Sequence, residues 1–156
     1  MRSVLLKVFV GMAITAIGMF GADNSTGTWK RNIAKSNSTP AVTNPITSLT
    51  LVREAVDGGV KTTVTGQRKD GAAINASYTV KYDGKEYPVT GTTWDTTAIK
   101  QVDANTFTTE NKKTGGKYHT TGRTVVSKDG KTMTITAKGT NEEGKPYSAK
   151  FIYDKQ

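Results

Sequence analysis

The chain of 156 residues contains no cysteine and a single histidine, His119. Without cysteine there is no disulfide, no thiolate nucleophile and no thiolate zinc site. One histidine cannot form a histidine-rich metal site, so we expect neither a metal ion nor another cofactor. The length fits a single domain and excludes large multi-step enzymes.

Leucine is nearly missing after residue 22, where only Leu49 and Leu51 occur. Leucine is the leading apolar helix former. The abundant residues, among them 27 threonines together with valine, isoleucine and tyrosine, are instead those enriched in strands. This composition predicts an all-β protein.

The first 22 residues differ in composition from the rest of the chain. Arg2 and Lys7 precede an apolar run of 13 residues from Val8 to Phe20. Such a run suits the core of a signal peptide and is shorter than the roughly 20 residues of a membrane-spanning helix. The alternative is a retained membrane anchor. We predict a signal peptide over 1–22 and one domain over 23–156, exported and without a membrane span after cleavage.

Two further consequences follow from this N-terminal segment. No cysteine follows the apolar run, so a lipid-anchored lipoprotein is excluded. Removal of Arg2 and Lys7 lowers the formal net charge of +9 by two, and the remaining domain is still basic.

Turn dipeptides recur at nearly constant intervals from residue 57 onward. Asp-Gly, Gly-Gly or Glu-Gly pairs stand at 57–58, 70–71, 83–84, 115–116, 129–130 and 143–144. These pairs supply the positive φ angles that tight hairpin turns require. Each interval leaves room for one strand and one turn, and two further breaks divide the longest interval.

Between the turns, apolar and polar residues alternate as they do in half-buried strands. Ile74, Ala76, Tyr78 and Val80, for example, share one face of a strand. We predict ten strands, near 27–33, 46–55, 60–69, 73–82, 85–90, 96–102, 106–113, 117–127, 131–139 and 146–154. The segment from Ala34 to Pro45 contains two prolines among serine, asparagine and threonine, which predicts an irregular loop.

Short connections imply an antiparallel up-and-down order. A meander of ten strands avoids two long exposed edges by closing on itself, so we predict a β-barrel. The non-core face carries threonine, lysine, serine and asparagine. A transmembrane barrel needs an apolar outer face with aromatic girdles, so we expect a soluble barrel with its apolar face inward.

The sequence Gly27-Thr-Trp29-Lys at the start of the first strand, followed by a meander, resembles the calycin superfamily of lipocalins, fatty-acid-binding proteins and avidins. The closing Phe151-Ile-Tyr153 and the ten strands are more similar to the fatty-acid-binding branch. The opening from Gly27 to Ser36 resembles small exported bacterial proteins called lipocalin-like. The resemblance implies a barrel that binds a small hydrophobic or amphipathic ligand, in the bacterial periplasm or secreted.

The chain also departs from the fatty-acid-binding pattern. The 34–45 segment is too short for that family's helical lid, so we expect a barrel without one. The family holds a ligand carboxylate with the arginine and tyrosine of a closing Arg-x-Tyr and an earlier inward arginine. Here Tyr153 matches the tyrosine, Phe151 stands in place of the closing arginine, and Arg123 corresponds to the earlier arginine.

Five residues are candidates for a structural or binding role. Trp29 is expected to close the barrel floor. Trp94, in a loop, either stacks on a ligand or covers the edge of the core. Arg123 either points inward toward an anionic ligand or lies on the solvated surface. Tyr78 and Tyr153 offer hydroxyls to an amphipathic ligand, or are ordinary core tyrosines.

We expect a ligand-binding protein rather than an enzyme. His119 is the one candidate general base, and no nucleophile elbow accompanies it. The alternative is a barrel with a filled interior whose basic surface binds envelope polymers or partner proteins. The scattered lysines carry no nucleic-acid signature, but they favour weak attraction to anionic surfaces. We expect a monomer.

Overall fold

The computed structural model describes residues 22–156, which form ten antiparallel strands and no helix. The predicted signal peptide therefore lies outside the described residues except for Ala22. The strands are β1 (Gly27–Thr39), β2 (Ile46–Val56), β3 (Gly59–Arg68), β4 (Ala73–Lys81), β5 (Asp83–Pro88), β6 (Thr96–Asp103), β7 (Thr106–Lys112), β8 (His119–Val126), β9 (Thr132–Thr140) and β10 (Pro146–Lys155).

One sheet contains all ten strands, in the order β4-β3-β2-β1-β10-β9-β8-β7-β6-β5. The predicted all-β antiparallel barrel is confirmed. Its two edge strands, β4 and β5, lie next to each other. Ser77 on β4 and Thr90, just after β5, exchange two backbone hydrogen bonds of 3.2 Å that connect the two edges. The barrel is therefore nearly closed.

The predicted turn glycines take the expected backbone conformation. Gly71 has a φ of 85° and Gly130 a φ of 68°, in the region where a side chain is disfavoured. The turn predicted at 83–84 is wrong in detail, because Asp83 and Gly84 begin β5 and only Tyr82 separates the two edge strands.

The expected irregular loop over Ala34–Pro45 is wrong in its first half, because β1 continues to Thr39. The register of β1 against β10 shifts between Asn32 and Asn37, which allows the strand to bend and pair again. At the bend, the Ser36 hydroxyl donates to the Asn32 carbonyl over 2.7 Å and accepts the Ile152 N–H over 3.0 Å. Only residues 40–45 form the connection to β2.

The core lies at one end of the barrel, which we call the floor. Trp29, Val126, Met133 and Tyr153 are buried there on β1, β8, β9 and β10. A second group on the facing wall contains Val60, Val80, Tyr82, Ile99 and Phe107.

Residues before β1 seal the floor from below. The Trp29 indole Nε1 donates to the Ser25 carbonyl over 2.8 Å, and Ser25 is fully buried. The Tyr82 hydroxyl donates to the Asp23 carboxylate, whose other oxygen accepts the Ser25 hydroxyl over 2.5 Å. The opposite end of the barrel, which we call the mouth, is formed by residues 40–45, 69–72, 89–95, 113–118 and 141–145.

No helix in the described part of the chain is long and apolar enough to cross a membrane.

Candidate binding site inside the barrel

Above the floor, the inward side chains are less completely buried than those of the floor itself. Val64, Ile74, Ile135 and Phe151 face inward, yet each is only half-buried. These four side chains pack on the buried floor residues and keep part of their surface exposed.

Small residues line the wall between this level and the mouth. Gly122, Ala137 and Ala149 pair across β8, β9 and β10 at one height. A Cβ at Gly122 would lie 2.2 Å from the Thr136 carbonyl oxygen, so only glycine permits this close approach of β8 and β9. The row leaves space beside Phe151 that larger side chains would occupy.

Arg31 projects into the interior from β1. It shares the inward face with Trp29 and pairs with Tyr153 across the sheet. Its guanidinium carbon lies 3.9 Å from the centre of the Phe151 ring, a cation–π contact. Burial of the side chain lowers the Arg31 pKa, and the neighbouring Tyr153 and Tyr147 partly offset this effect.

Arg53 enters the same space from β2 and is only 5% exposed. Its Nε donates to the Ser25 hydroxyl over 3.2 Å, which in turn donates to Asp23. The Arg53 charge is thus connected to the Asp23 carboxylate through one hydroxyl group. Among residues 22–156, no hydroxyl group connects Arg31 to a carboxylate in this way.

Neither arginine has an ion-pair partner in the part of the chain that the structure describes. No carboxylate of residues 22–156 lies within 4.0 Å of either guanidinium. The Arg31 Nε and the Thr62 hydroxyl are buried and find no hydrogen-bond partner among these residues. Buried polar groups without partners are costly, which makes this space suited to an anionic group that accepts hydrogen bonds.

Tyr78 and Tyr153 complete what we call the interior polar cluster, consisting of Arg31, Arg53, Thr62, Tyr78 and Tyr153. Burial raises the pKa of Tyr153 to about 12, and the nearby positive charges of Arg31 and Arg53 oppose that rise. Thr62 lies between Arg53 and Tyr78 in the cross-strand pairing of β2, β3 and β4. The structure therefore brings together the two tyrosines that the sequence singled out.

The other candidates lie elsewhere. Trp29 is fully buried at the floor. Trp94 is half-buried near the mouth and stacks on Tyr118 with ring centres 5.5 Å apart. Arg123 lies on the outer wall, since its neighbour Thr124 is the residue that faces the core. Arg123 therefore lies on the solvated surface, the second of its two expected placements, and the arginines of the interior are Arg31 and Arg53.

The sequence carried a signal for both missed arginines. Arg31 lies two residues after Trp29, and Arg53 lies two residues after Leu51, so each shares its strand face with a core residue. An arginine in phase with an apolar strand face is the pattern that marks an inward charge.

The residues considered for catalysis are not assembled. His119 lies near the mouth, exposed, with its Nε2 2.7 Å from Glu110 Oε1. Ser127 and Asp129 lie at the floor end of β8, where the serine hydroxyl donates to the aspartate over 2.5 Å. Among residues 22–156 there is no group of three or more histidine, aspartate and glutamate side chains placed to hold a metal ion.

The ten antiparallel strands and the nearly closed wall fit a calycin-like fold. No family model matches the sequence, and no curated protein matches it. The chain is similar to a solved structure described as "Structure of EF1p2_mFAP2b bound to DFHBI", with a TM-score of 0.46 and 9% identity over 85% of this chain and 94% of that chain.

Removing the Tyr153 hydroxyl is expected to change the response of stability to alkaline pH. The pKa of the Tyr153 hydroxyl is about 12 in the folded protein and about 10 in the unfolded chain, so the folded state holds this proton more tightly. The resulting contribution to stability is fully present below about pH 10. This contribution, about 3 kcal/mol, is lost as the pH rises from about 10 through about 12. Tyr153→Phe should therefore lose less stability than the wild type over that interval in urea unfolding curves. Parallel curves for the two proteins would show that Tyr153 ionises as freely in the native state as in the unfolded one.

Proposed function

We propose that this protein is an exported, non-enzymatic carrier that holds an amphipathic small molecule with an anionic headgroup inside its barrel. The observation that carries the proposal is the Arg31 guanidinium, held in the interior beside Tyr153 without a carboxylate partner among residues 22–156. A carboxylate or phosphate accepts two parallel hydrogen bonds from such a group.

The apolar part of the ligand would lie toward the mouth. Above Arg31, the half-buried Phe151, Ile135 and Ile74 offer apolar surface, and the row of Gly122, Ala137 and Ala149 leaves room beside them. Burial of an alkyl chain there contributes about 0.8 kcal/mol for each buried CH₂ group. The headgroup fixes the orientation and the chain supplies much of the affinity.

The alternative is a barrel filled by its own side chains. The incomplete burial of the inward residues Ile74, Ile135 and Phe151 favours the ligand-binding barrel instead. Export is supported by the apolar run from Val8 to Phe20 behind Arg2 and Lys7. We further propose a relationship to small exported bacterial lipocalin-like proteins, on the strength of the opening from Gly27 to Ser36.

The proposal is tested by titrating the protein with dodecanoate and with dodecan-1-ol, two ligands of equal chain length that differ in the charge of the headgroup. Calorimetry should show dodecanoate binding about tenfold or more tightly, because hydrogen bonds to charged groups contribute about 1.5–3 kcal/mol. Native mass spectrometry should show one bound dodecanoate per chain. Equal affinity for the two ligands, or binding of neither, would contradict an anionic headgroup site.

A further inference from the structure

A groove of about 520 Å³ lies on the outer wall of the barrel, across β6, β7, β8 and β9. Most of the side chains that line it, among them Lys100, Arg123 and Thr136, lie on the outward face of these strands, opposite to the core residues Ile99, Phe107 and Thr124. Thr109, Gly122 and Ala137, which belong to the inward face, also border it. The groove is thus separate from the interior polar cluster. Three of its lining residues are cations: Lys100, Arg123 and Lys138.

The cations of this wall follow a regular order set by the strand register. Cross-strand pairing places Lys100, Thr108, Arg123, Thr136 and Lys150 in one row over five adjacent strands, from β6 to β10. Positive side chains and threonine hydroxyls therefore alternate. Since neighbouring strands lie about 4.8 Å apart, successive cations of the row stand about 10 Å apart.

Carboxylates of the protein do not neutralise the cations of the row or Lys138 beside it. Lys100, Arg123, Lys138 and Lys150 make no ion pair among the described residues, whereas Lys112 on the same wall pairs with Glu86 and Glu110. Glu110, the one acidic residue lining the groove, accepts from both Lys112 and His119, and these contacts lower its pKa. Asp83, at the end of the row, accepts the Lys85 N–H and the Tyr87 hydroxyl, each over 3.0 Å.

The threonines between the cations can accept hydrogen bonds. Thr108 donates weakly to the Lys100 carbonyl over 3.5 Å, and Thr136 donates to the Arg123 carbonyl over 3.3 Å. Their hydroxyl oxygens therefore keep free acceptor positions facing the groove. A partner with hydroxyl groups between its charges would match this order.

We propose that the groove binds a linear acidic polysaccharide that carries a carboxylate or sulfate on alternate sugars. The alternation of cation and hydroxyl in the row corresponds to the alternation of charged and uncharged sugars. Nucleic acid matches this surface less well. The groove-lining residues include no aromatic side chain on which bases could stack. Each strand of a duplex also carries one charge per about 3.4 Å, which is much closer than the spacing of the cations in the row.

The test measures binding of hyaluronate oligosaccharides, which are charged on alternate sugars, at one fixed ionic strength. Polygalacturonate, which is charged on every sugar, uncharged dextran and an oligothymidylate serve as comparisons. Hyaluronate should bind most tightly. The double variant Arg123→Ala/Lys138→Ala should weaken that binding about tenfold, since exposed ion pairs contribute about 0.2–1 kcal/mol each and 1.4 kcal/mol corresponds to tenfold.

A matched control separates the groove from the general basic charge. Lys69→Ala/Lys128→Ala also removes two exposed cations, neither of which lines the groove. This control variant should change hyaluronate binding by less than about twofold, which corresponds to the smallest contribution of a single exposed ion pair. Equal losses in the two double variants, tighter binding of the oligothymidylate than of any polysaccharide, or no binding of hyaluronate would overturn the proposal. Circular dichroism verifies that both variants are folded, and unchanged dodecanoate binding shows that the interior is intact.

Discussion

Replacing Trp29 by alanine is expected to lower the free energy of unfolding by about 3–5 kcal/mol, the range found when buried aromatic side chains are truncated. Trp29 is fully buried and pairs with Leu51 on β2 and Lys155 on β10. Its Nε1 also donates to the carbonyl of the buried Ser25. The truncation would both open a cavity and leave a buried acceptor unpaired. Urea unfolding followed by circular dichroism measures the loss.

The second tryptophan of the chain provides the control. Trp94 is half-buried near the mouth, and its main aromatic contact is with Tyr118. Trp94→Ala should lower the free energy of unfolding by only about 1 kcal/mol, the contribution of one aromatic pair. If the two tryptophan variants lose equal stability, the floor is not the main packing centre of the barrel.

A smaller change at the floor separates packing from hydrogen bonding. Trp29→Phe keeps an aromatic ring but removes the donor to the Ser25 carbonyl. The unsatisfied carbonyl should lower the free energy of unfolding by about 1–3 kcal/mol. This variant also gives a measurable value if Trp29→Ala does not fold.

The strands could be predicted from the sequence because their signals are local. A glycine such as Gly71 or Gly130 sets its own turn. The alternation of Tyr78 and Val80 with Thr79 and Lys81 assigns the two faces of β4 without any knowledge of the partner strand. The extension of β1 to Thr39 could not be predicted in this way. It depends on a bend whose hydrogen bonds come partly from Ile152, far away in the sequence.

The site was harder to predict for a related reason. Around Arg123, both strand faces contain valine and threonine, and Val125 on the outer face is 38% exposed while Val126 on the inner face is buried. The alternation therefore did not decide which face was inside. Arg31 and Arg53 had the right phase, but an inward arginine contradicts the simple expectation of an apolar core. Only the tertiary arrangement shows that two such exceptions meet beside Tyr153.

Replacing Arg31 by methionine is expected to separate binding from stability. Methionine keeps an apolar chain against Phe151 and removes a buried cation that has no carboxylate partner in the described chain. Loss of the cation–π contact destabilises the fold by about 0.5–2 kcal/mol. Removal of the buried guanidinium charge, which is poorly solvated, offsets this loss. Apolar replacement of buried ionic groups is often neutral or stabilising for this reason. The free energy of unfolding without ligand should therefore change by no more than about 1 kcal/mol.

Dodecanoate binding should respond very differently to this substitution. Loss of a charge-assisted pair worth about 1.5–3 kcal/mol weakens dodecanoate binding about 10- to 100-fold. Binding of dodecan-1-ol should be unchanged, because its hydroxyl does not need the cation. Arg123→Met, which removes an equal charge from the outer wall, should leave dodecanoate binding unaltered.

Arg53→Met distinguishes the roles of the two interior arginines. Arg53 donates to Ser25 in the network that seals the floor, so its loss should lower the free energy of unfolding by about 1–3 kcal/mol. A purely structural Arg31 would behave in the same way, losing stability with no difference between the two dodecyl ligands. A selective loss of dodecanoate binding in Arg31→Met, at nearly unchanged stability, is the result that a headgroup-binding arginine requires.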